Sequence, residues 1–302
     1  MERPLIDRFR RRLMTAGFVF AFALPGAASA QIAPECRGVQ MASDYDEVAQ
    51  QDFMANYVGL TTTLSPLHGP IPHAPGRGSL GLDLNYLPPL SCARRLVLNG
   101  TKTEDTNKTP VVPRLRAVFA FPAIGKLMPY AGLGYLPPIP VFGTTNVILS
   151  GEVGVGMAIG ATDLGLRFHA TSQKTVGEVA TPFDKNEPAV IDLFLASSMG
   201  VDLLAGWHLG PVDPYVSLGL TDLSTFFYIG DDGVVTNNYH PYFGPVMSAG
   251  AAGDVWKGLR LAGEVYAAPG GYSMPDASQK SVSGMGRYGS LVTARLMIQW
   301  VL

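Results

Sequence analysis

The chain of 302 residues has little charge and only two cysteines, and beyond residue 30 it has no long apolar run. Without such a run, which takes roughly 20 residues for a membrane-spanning helix, a helical membrane domain is excluded. Charged residues make up 15% of the chain, whereas it has 35 glycines and is 47% hydrophobic. This composition favours short β-strands over a helical bundle.

Residues 1–30 have the pattern of a secretory signal peptide. Arg8 and 10–12 supply the basic region, residues 13–24 the apolar stretch, and Ala28-Ser29-Ala30 the cleavage site. The apolar stretch is shorter than a spanning helix, which disfavours a membrane anchor. We therefore expect an exported protein whose mature part begins near Gln31.

An excess of positive charge is also missing. Residues 1–30 contain five of the 22 basic and two of the 24 acidic residues, so the mature part has 17 against 22, a formal net charge of −5. Nucleic-acid binding usually needs a basic patch, so we expect no nucleic-acid partner. No group of three or four spaced ligands suggests a metal site, and no cofactor is expected.

Cys36 and Cys92 are the only cysteines. In an exported protein a pair indicates a disulfide first, with two unpaired thiols as the alternative. If Cys92 lies in a surface loop and Cys36 lies in the periplasm, the two meet only when the N-terminal segment passes up through the protein. The sequence leaves this open.

Residues 31–76 are predicted to form a short N-terminal helix and a proline-rich linker. Ser43 is a candidate N-cap, and the apolar residues that follow recur at helical spacing. These residues are Tyr45, Ala49, Phe53, Tyr57 and Leu60. The prolines that end the helix are Pro66, Pro70, Pro72 and Pro75. The segment is expected in the periplasm, at the membrane surface or inside a barrel lumen, and His68 and His73 are expected to be solvated.

Residues 77–302 alternate between apolar and polar residues with a period of two, which predicts about ten strands. The last strand, 289–302, shows the pattern most clearly. One face carries Val292, Ala294, Leu296, Ile298, Trp300 and Leu302, and the other carries Thr293, Arg295 and Gln299. An apolar outer face over a polar inner face is typical of a membrane β-barrel, because lipid solvates the outside.

The first predicted strand begins at residue 78. The strands between it and the last one are predicted at 112–122, 127–137, 144–158, 163–173, 189–209, 214–229, 241–255 and 257–267. Counts of eight or twelve remain alternatives, because 127–137 is weak and 60–66 could be a strand. A change of phase near Thr221-Asp222 predicts a β-bulge. A soluble lipocalin-like barrel or sandwich is disfavoured, because outer faces this apolar would aggregate in water.

Short turns at 160–163, 210–213 and 257–258 alternate with long polar loops at 90–110, 174–188, 230–240 and 268–288. Outer-membrane barrels have short periplasmic turns and long surface loops in this way. Aromatic residues near the predicted strand ends suit girdles at the two membrane interfaces. They are Tyr86, Tyr135, Trp207, Tyr215, Tyr228, Tyr242, Trp256 and Trp300.

In this layout, over residues 78–302, the chain resembles the small outer-membrane β-barrel proteins of Gram-negative bacteria, the OmpA-type or OmpX-type membrane domain and its relatives. The resemblance implies an all-β, antiparallel up-and-down barrel in the outer membrane. It also implies contact with outer-membrane lipid and lipopolysaccharide, and insertion by the barrel assembly machinery. Such barrels commonly end in Phe; here Trp300 and Leu302 are the expected assembly signal, with the aromatic residue displaced by two positions. The oligomeric state stays open.

Charged residues on the predicted inner face are balanced in sign. They are Asp83, Arg114, Arg116, Glu152, Arg167, Asp192, Asp202, Arg260, Glu264 and Arg295, with His169 beside them. In a narrow lumen they would pair as a closed polar core, because unpaired buried charges are costly. The alternative is a narrow selective pore lined by these charges. The predominance of Arg over Lys favours the core.

The expected function is therefore a structural or passive-pore role in the outer membrane. The alternative is a transporter of small hydrophobic molecules with residues 31–76 as a hatch. A lipid-modifying hydrolase is less favoured. His169 and Thr171 share the spacing of a base and a nucleophile, but both point inward, whereas such enzymes act on lipid outside. We expect no catalytic residues.

Overall fold

The computed structural model describes residues 47–90, 96–97, 102–104, 110–141, 144–177, 180–182, 191–230, 234–237, 241–269 and 290–302. The predicted signal peptide and both cysteines lie outside these residues.

Ten long strands form one closed antiparallel barrel. They are β1 (Gly78–Tyr86), β2 (Val111–Ala120), β3 (Leu127–Val141), β4 (Thr144–Ile159), β5 (Thr162–Gly177), β6 (Asp192–Trp207), β7 (Val212–Ile229), β8 (Tyr242–Trp256), β9 (Leu259–Ala268) and β10 (Leu291–Val301). Each strand pairs with the next along the chain, and β10 pairs with β1. The prediction of a ten-stranded antiparallel up-and-down barrel is confirmed.

Four short strands lie outside the wall of the barrel. Val234–Asn237 pairs with the end of β7. Leu96–Val97, Lys102–Glu104 and Ala180–Pro182 form a separate small sheet. These four strands, counted over the described residues, lie at the end of the barrel that carries the long connections, which we call the loop end.

The opposite end, here called the turn end, carries the short connections between strands. Gly160 and Gly210 have φ angles of 65° and 70°, a left-handed conformation that glycine adopts without steric cost. These two glycines make the β4–β5 and β6–β7 turns. Residue 78, where β1 begins, and residue 301, where β10 ends, lie at the same end.

The outer face of the barrel is apolar and the inner face polar. On β10, Leu296 and Trp300 are more than half exposed, whereas Arg295, next to Leu296 in the chain, is fully buried. A surface of this kind is solvated by lipid, not by water. Within the described residues, no helix is long and apolar enough to cross a membrane.

The predicted bulge near Thr221-Asp222 is wrong. β7 pairs with β8 without a register shift from Val212 to Leu223. The phase seemed to change because Leu223 and Phe227, although apolar, point inward and are buried. They do so because the interior at the loop end is apolar. Register shifts lie instead in β3, between Leu136 and Ile139, and in β8, between Asp254 and Trp256.

Two of the eight predicted girdle aromatics are also placed differently. Tyr215 and Tyr242 are buried inside the barrel, where their hydroxyls donate to Glu264 and to the carbonyl of Pro245. The other six are more than a third exposed on the outside. They are Tyr86, Tyr135, Trp207, Tyr228, Trp256 and Trp300.

The helix α1 (Glu47–Thr62) lies inside the barrel at the loop end. Its side chains Phe53, Met54, Tyr57 and Leu60 pack against an apolar wall. The wall residues include Leu87, Phe194, Leu223, Phe227, Tyr242, Val246, Tyr266 and Leu291. Polar residues of the helix are enclosed as well, and the side chain of Asn56 accepts a hydrogen bond from the amide of Tyr242 at 3.2 Å.

From Thr63 the chain descends through the lumen to the turn end, where β1 begins. We call residues 47–77 the plug. Of the three placements expected for the N-terminal segment, its described part therefore occupies the lumen. The expectation that His68 and His73 are solvated is wrong, because both are buried between the plug and the barrel wall.

Candidate functional site: the filled lumen

The C-terminus of α1 is capped by arginines of the barrel wall. The last carbonyls of a helix have no partner within the helix and carry its negative dipole end. Arg295 donates from Nη1 to the carbonyl of Thr63 at 2.7 Å, and from Nη2 to those of Leu60 and Thr61 at 3.2 and 3.3 Å. Arg114 donates to the carbonyl of Thr62 at 3.0 Å. The wall therefore supplies the donors that the helix end lacks.

The same pattern continues into the extended part of the plug. Arg167 donates to the carbonyl of Leu64 at 2.8 Å, and Arg116 donates to that of Ser65 at 2.9 Å. Six consecutive plug carbonyls, from residue 60 to residue 65, thus accept hydrogen bonds from four guanidinium groups. We call Arg114, Arg116, Arg167 and Arg295 the arginine cradle.

Three of these arginines are neutralised by carboxylates of the wall. Arg114 contacts Asp83 through Nε at 3.0 Å and Nη2 at 2.9 Å. Glu152 lies between Arg116 and Arg167, at 2.6 Å from each. Arg167 also contacts Asp202 at 2.5 Å. These groups are almost fully buried, so each charge needs a partner to offset its desolvation.

Glu264 holds the middle of the plug. Its Oε2 accepts hydrogen bonds from the amide of Leu67 at 3.2 Å, the hydroxyl of Tyr215 at 3.0 Å and that of Ser248 at 3.1 Å. Leu67 has a φ of 52°, a left-handed conformation that costs a side-chain-bearing residue about 1–2 kcal/mol. Glu264 and the enclosing wall hold this bend in place.

Lower in the lumen, the plug packs against a depression made by three glycines, the glycine slot. A Cβ atom at Gly156 would lie 2.4 Å from the carbonyl oxygen of Pro70. A Cβ at Gly165 or Gly206 would lie 2.9 or 2.7 Å from side-chain carbons of the same proline. Because β4, β5 and β6 each contribute a residue without a side chain, the backbone of the plug can approach the wall closely.

At the turn end, hydrogen bonds join the plug to the two strands that close the barrel. His73 Nε2 lies 2.8 Å from the hydroxyl of Ser79 on β1, which donates to Gln299 on β10 at 2.9 Å. Nearby, Arg260 forms ion pairs with Asp213 and Asp254. The plug is therefore bonded to the wall at successive positions from Asn56 to His73.

The charged residues predicted for the lumen lie in three places. Asp83, Glu152, Asp202 and Glu264 are in the central part with the arginine cradle. Asp192 is buried at the loop end, where it accepts a hydrogen bond from the amide of Gly230 at 3.1 Å. Arg260 lies at the mouth of the turn end. The predicted assembly residues Trp300 and Leu302 are exposed at that end.

His169 and Thr171 point inward, and both are buried. Nε2 of His169 lies 3.6 Å from Asp202. The hydroxyl of Thr171 accepts a hydrogen bond from the amide of Leu64 at 3.1 Å and donates to Ser150 at 3.1 Å. The hydroxyl of Thr171 is thus hydrogen-bonded to the plug. Among the described residues, no cluster of three His, Cys, Asp or Glu side chains could hold a metal ion.

Sequence reasoning missed the acceptors of the arginine cradle, which are backbone carbonyls of the plug. It also missed the glycine slot, whose members Gly156, Gly165 and Gly206 lie on three different strands. A signal for the cradle was present in Arg295, since β10 supplies no acidic residue beside it.

Comparison with known proteins gives a likeness in architecture alone. The chain matches no protein-family model and no curated protein. Among solved structures, it is similar to the translocator domain of the autotransporter NalP from Neisseria meningitidis, with 11% identity over 76% of this chain and 89% of that one, at a TM-score of 0.40. It is similar to the toluene transporter TodX of Pseudomonas putida, with 12% identity over 82% and 76% of the two chains, at a TM-score of 0.33.

A third similar structure is OmpT, an outer membrane protein of Vibrio cholerae, with 11% identity over 63% of this chain and a TM-score of 0.28. The chain spans 55% of the length of that protein. These similar structures are outer-membrane β-barrels. The strand pairing itself establishes the architecture: a closed ten-stranded antiparallel β-barrel with an apolar outer face and a lumen filled by its own N-terminal segment.

Proposed function

We propose that this chain is an outer-membrane β-barrel with a structural role, exported by a cleaved signal peptide and closed by its plug. The observation that carries the proposal is the set of six consecutive plug carbonyls bound by the arginine cradle. A passive pore needs a hydrated lumen with free charges along it. Here all four arginines of the cradle are bonded to the plug, and three of them are also paired with carboxylates, which favours the closed core over the selective pore.

The energetics support a plug that stays in place. A hydrogen bond to a charged group contributes about 1.5–3 kcal/mol, and the cradle makes six contacts with plug carbonyls. Removing the plug would also leave Arg295 without its carbonyl partners, and an uncompensated buried charge costs about 3–5 kcal/mol. The plug is therefore part of the core of the protein in this proposal.

The small OmpA-type or OmpX-type class is the finer part of the proposal. The continuous apolar outer face and the outward Trp300 on the last strand support insertion among outer-membrane lipid and lipopolysaccharide. Recognition of Trp300 and Leu302 by the barrel assembly machinery belongs to the same proposal. Replacing both residues with serine should reduce the amount of folded barrel in the outer membrane, measured by heat-dependent gel mobility.

Single-channel recording tests the structural role. The mature protein is refolded, shown to be folded by heat-dependent gel mobility, and inserted into a planar bilayer. The intact protein should be silent, and deletion of residues 31–76 should produce current. A matched control lacks only residues 31–46, keeps the whole plug, and should stay silent. Steady ion-selective steps from the intact protein would contradict the closed barrel.

A transporter of small hydrophobic molecules is the second candidate. The observation that favours it is the apolar interior at the loop end, where Phe194, Phe227, Tyr242 and Tyr266 surround α1. A lumen that was polar throughout would not accept an apolar solute. Vesicles containing the intact barrel should then take up a hydrophobic fluorescent probe faster than vesicles containing the heat-denatured protein. Equal rates would leave only the structural role.

Catalysis is not part of the proposal. His169 lies inside the barrel, and its neighbour Thr171 is hydrogen-bonded to the plug, so a lipid on the outer face has no access to the pair. We expect intact protein and the His169→Ala variant to behave alike when incubated with lipopolysaccharide or phospholipid. Release of fatty acid by the intact protein alone would establish a lipid hydrolase instead.

A further inference from the structure

The tips of the short turns are apolar. Each turn contains a glycine with a positive φ angle. A large exposed apolar residue comes directly before this glycine, or two positions before it in the β8–β9 turn. These residues are Ile124, Ile159, Leu209 and Trp256, which are 70%, 50%, 66% and 66% exposed. Exposed apolar side chains of this size are unfavourable in water and favourable in a bilayer, and tryptophan is enriched in the interfacial region of the bilayer. The turn end therefore lies at the depth of lipid headgroups.

A pocket of about 430 Å³ opens at this end, between the last residues of the plug and the β8–β9 turn. Three cationic side chains line it: Arg77 at the end of the plug, Lys257 in the turn and Arg260 at the start of β9. Trp256 lines the same pocket. We call it the rim pocket.

The charges of the rim pocket are not balanced by its own carboxylates. Asp254 is the carboxylate that lines the pocket, and it lies 3.4 Å from Arg260. Arg260 is also paired with Asp213. Arg77 and Lys257 form no ion pair with any residue that the structure describes. Two cations without an ion-pair partner among these residues thus line the pocket, beside Trp256.

We propose that the rim pocket binds the phosphate of a phospholipid in the leaflet that the turns reach. Arg77 and Lys257 supply the charge, since a cation near an anionic membrane surface contributes about 1 kcal/mol. Exposed Val255 and Trp256 at the edge of the pocket contact the acyl chains. The site rests on the proposed membrane location, and it anchors the point where the plug meets β1.

Native mass spectrometry of the refolded mature protein tests the site. The barrel is first shown to be folded and to insert into vesicles, so a failure of the membrane proposal appears before the lipid measurement. Phosphatidylglycerol, diacylglycerol without phosphate, and inorganic phosphate are then titrated separately. The Arg77→Gln/Lys257→Gln variant is compared with Lys126→Gln, a matched control in the β2–β3 turn outside the pocket.

Phosphatidylglycerol should bind the intact protein and the Lys126→Gln control equally. Affinity should fall roughly fivefold for each cation removed in the double variant, as expected from the charge contribution. Diacylglycerol should bind weakly to all three proteins. Equal losses in the control and the double variant would overturn the site in favour of diffuse surface charge. Displacement of the lipid by an equal concentration of inorganic phosphate would show that free phosphate is the ligand.

Discussion

The guanidinium carbon of Arg295 lies 3.9 Å from the centre of the Tyr266 ring, on the neighbouring strand. This cation–π contact leaves the Nη atoms of Arg295 free to donate to three carbonyls of the plug. Among the described residues, Arg295 has no carboxylate partner. Its charge is therefore balanced by an aromatic face and by the negative end of a helix.

Arg295→Met should lower the free energy of unfolding by about 3 kcal/mol, because it removes three hydrogen bonds from a charged donor to buried carbonyls of the plug. Arg295→Lys should restore only part of this, since an ammonium group cannot reproduce the planar fork. Urea unfolding in lipid vesicles, followed by tryptophan fluorescence, measures both. Tyr266→Phe is the control: it keeps the ring and loses a buried hydroxyl that has no partner, so its stability should change little. An unchanged midpoint for Arg295→Met would mean that the cap contributes nothing.

The glycine slot predicts a difference between two alanine substitutions on the same strand. Gly156→Ala places a Cβ 2.4 Å from the carbonyl oxygen of Pro70, whereas Gly151→Ala places one 3.9 Å from its nearest neighbours. Overpacking costs about 1–3 kcal/mol, so Gly156→Ala should destabilise the barrel and displace the plug while Gly151→Ala stays neutral. Urea unfolding and planar-bilayer conductance test this. If both variants behave alike, the slot has no role in positioning Pro70.

His208, in the β6–β7 turn, predicts a pH dependence. Its Nδ1 lies 2.9 Å from Asp213 and its Nε2 lies 2.9 Å from Asp163. The hydrogen bond to Asp213, followed by the charge of Asp163, raises the pKa of His208 above its ordinary value of 6.5. The imidazolium donates to both carboxylates. Its contribution to stability is therefore complete below pH 6.5 and is lost as the pH rises through the pKa of the folded protein.

Histidine side-chain NMR titration measures this pKa directly. Asp213→Asn should shift it back toward 6.5, because the amide carries no charge. Asp222→Asn, an exposed aspartate on the same strand β7, should leave it unchanged. An ordinary pKa of His208 in the intact protein would refute its pairing with Asp163 and Asp213, whatever the variants do. The stabilisation is small, because the imidazole is 61% exposed and solvent screens the pair.

The position of α1 makes a Cys36–Cys92 disulfide topologically accessible. The helix lies at the loop end, and Leu90, two residues before Cys92, is the last residue of the described segment 47–90 and packs at the same end. We predict that protein isolated from an oxidising compartment has the disulfide. Intact mass before and after reduction should differ by two hydrogens, and Cys36→Ser should abolish the difference. Equal masses would mean two unpaired thiols.

The outer face of this barrel could be predicted from sequence over most of its height, because every outward position in contact with lipid must be apolar. Arg295 and Gln299 alternate with Leu296 and Trp300, and only one phase of β10 satisfies lipid on the outside. The inner face has two regions of different polarity. It is polar around Glu152, and it is apolar around Phe227, where α1 replaces water. Near Leu223 the pattern is reversed, because Asp222 and Ser224 are exposed on the outside while Leu223 is buried inside. This reversal was misread as a bulge.

The plug contacts could not be predicted because their acceptors are backbone carbonyls. Every residue from 60 to 65 has such a group, so nothing in the side chains identifies it as the partner of Arg167 or Arg116. The helical spacing of Phe53, Tyr57 and Leu60 predicted the helix correctly. That spacing shows that the helix has an apolar face, but it does not show which part of the protein packs against this face. Placement depended on the shape of the lumen, which only the assembled strands define.

The direction in which the plug runs constrains the order of folding. The chain enters at the loop end, descends through the lumen and starts β1 at the turn end, and β1 later pairs with β10 across Ser79 and Val301. If β1 and β10 paired first, the residues before Thr63 would have to thread through a closed cylinder lined with buried charges. Chains avoid threading of this kind. The strands must therefore assemble around a plug that already lies against the growing wall. The pairing of β1 with β10 comes last, and it encloses the plug.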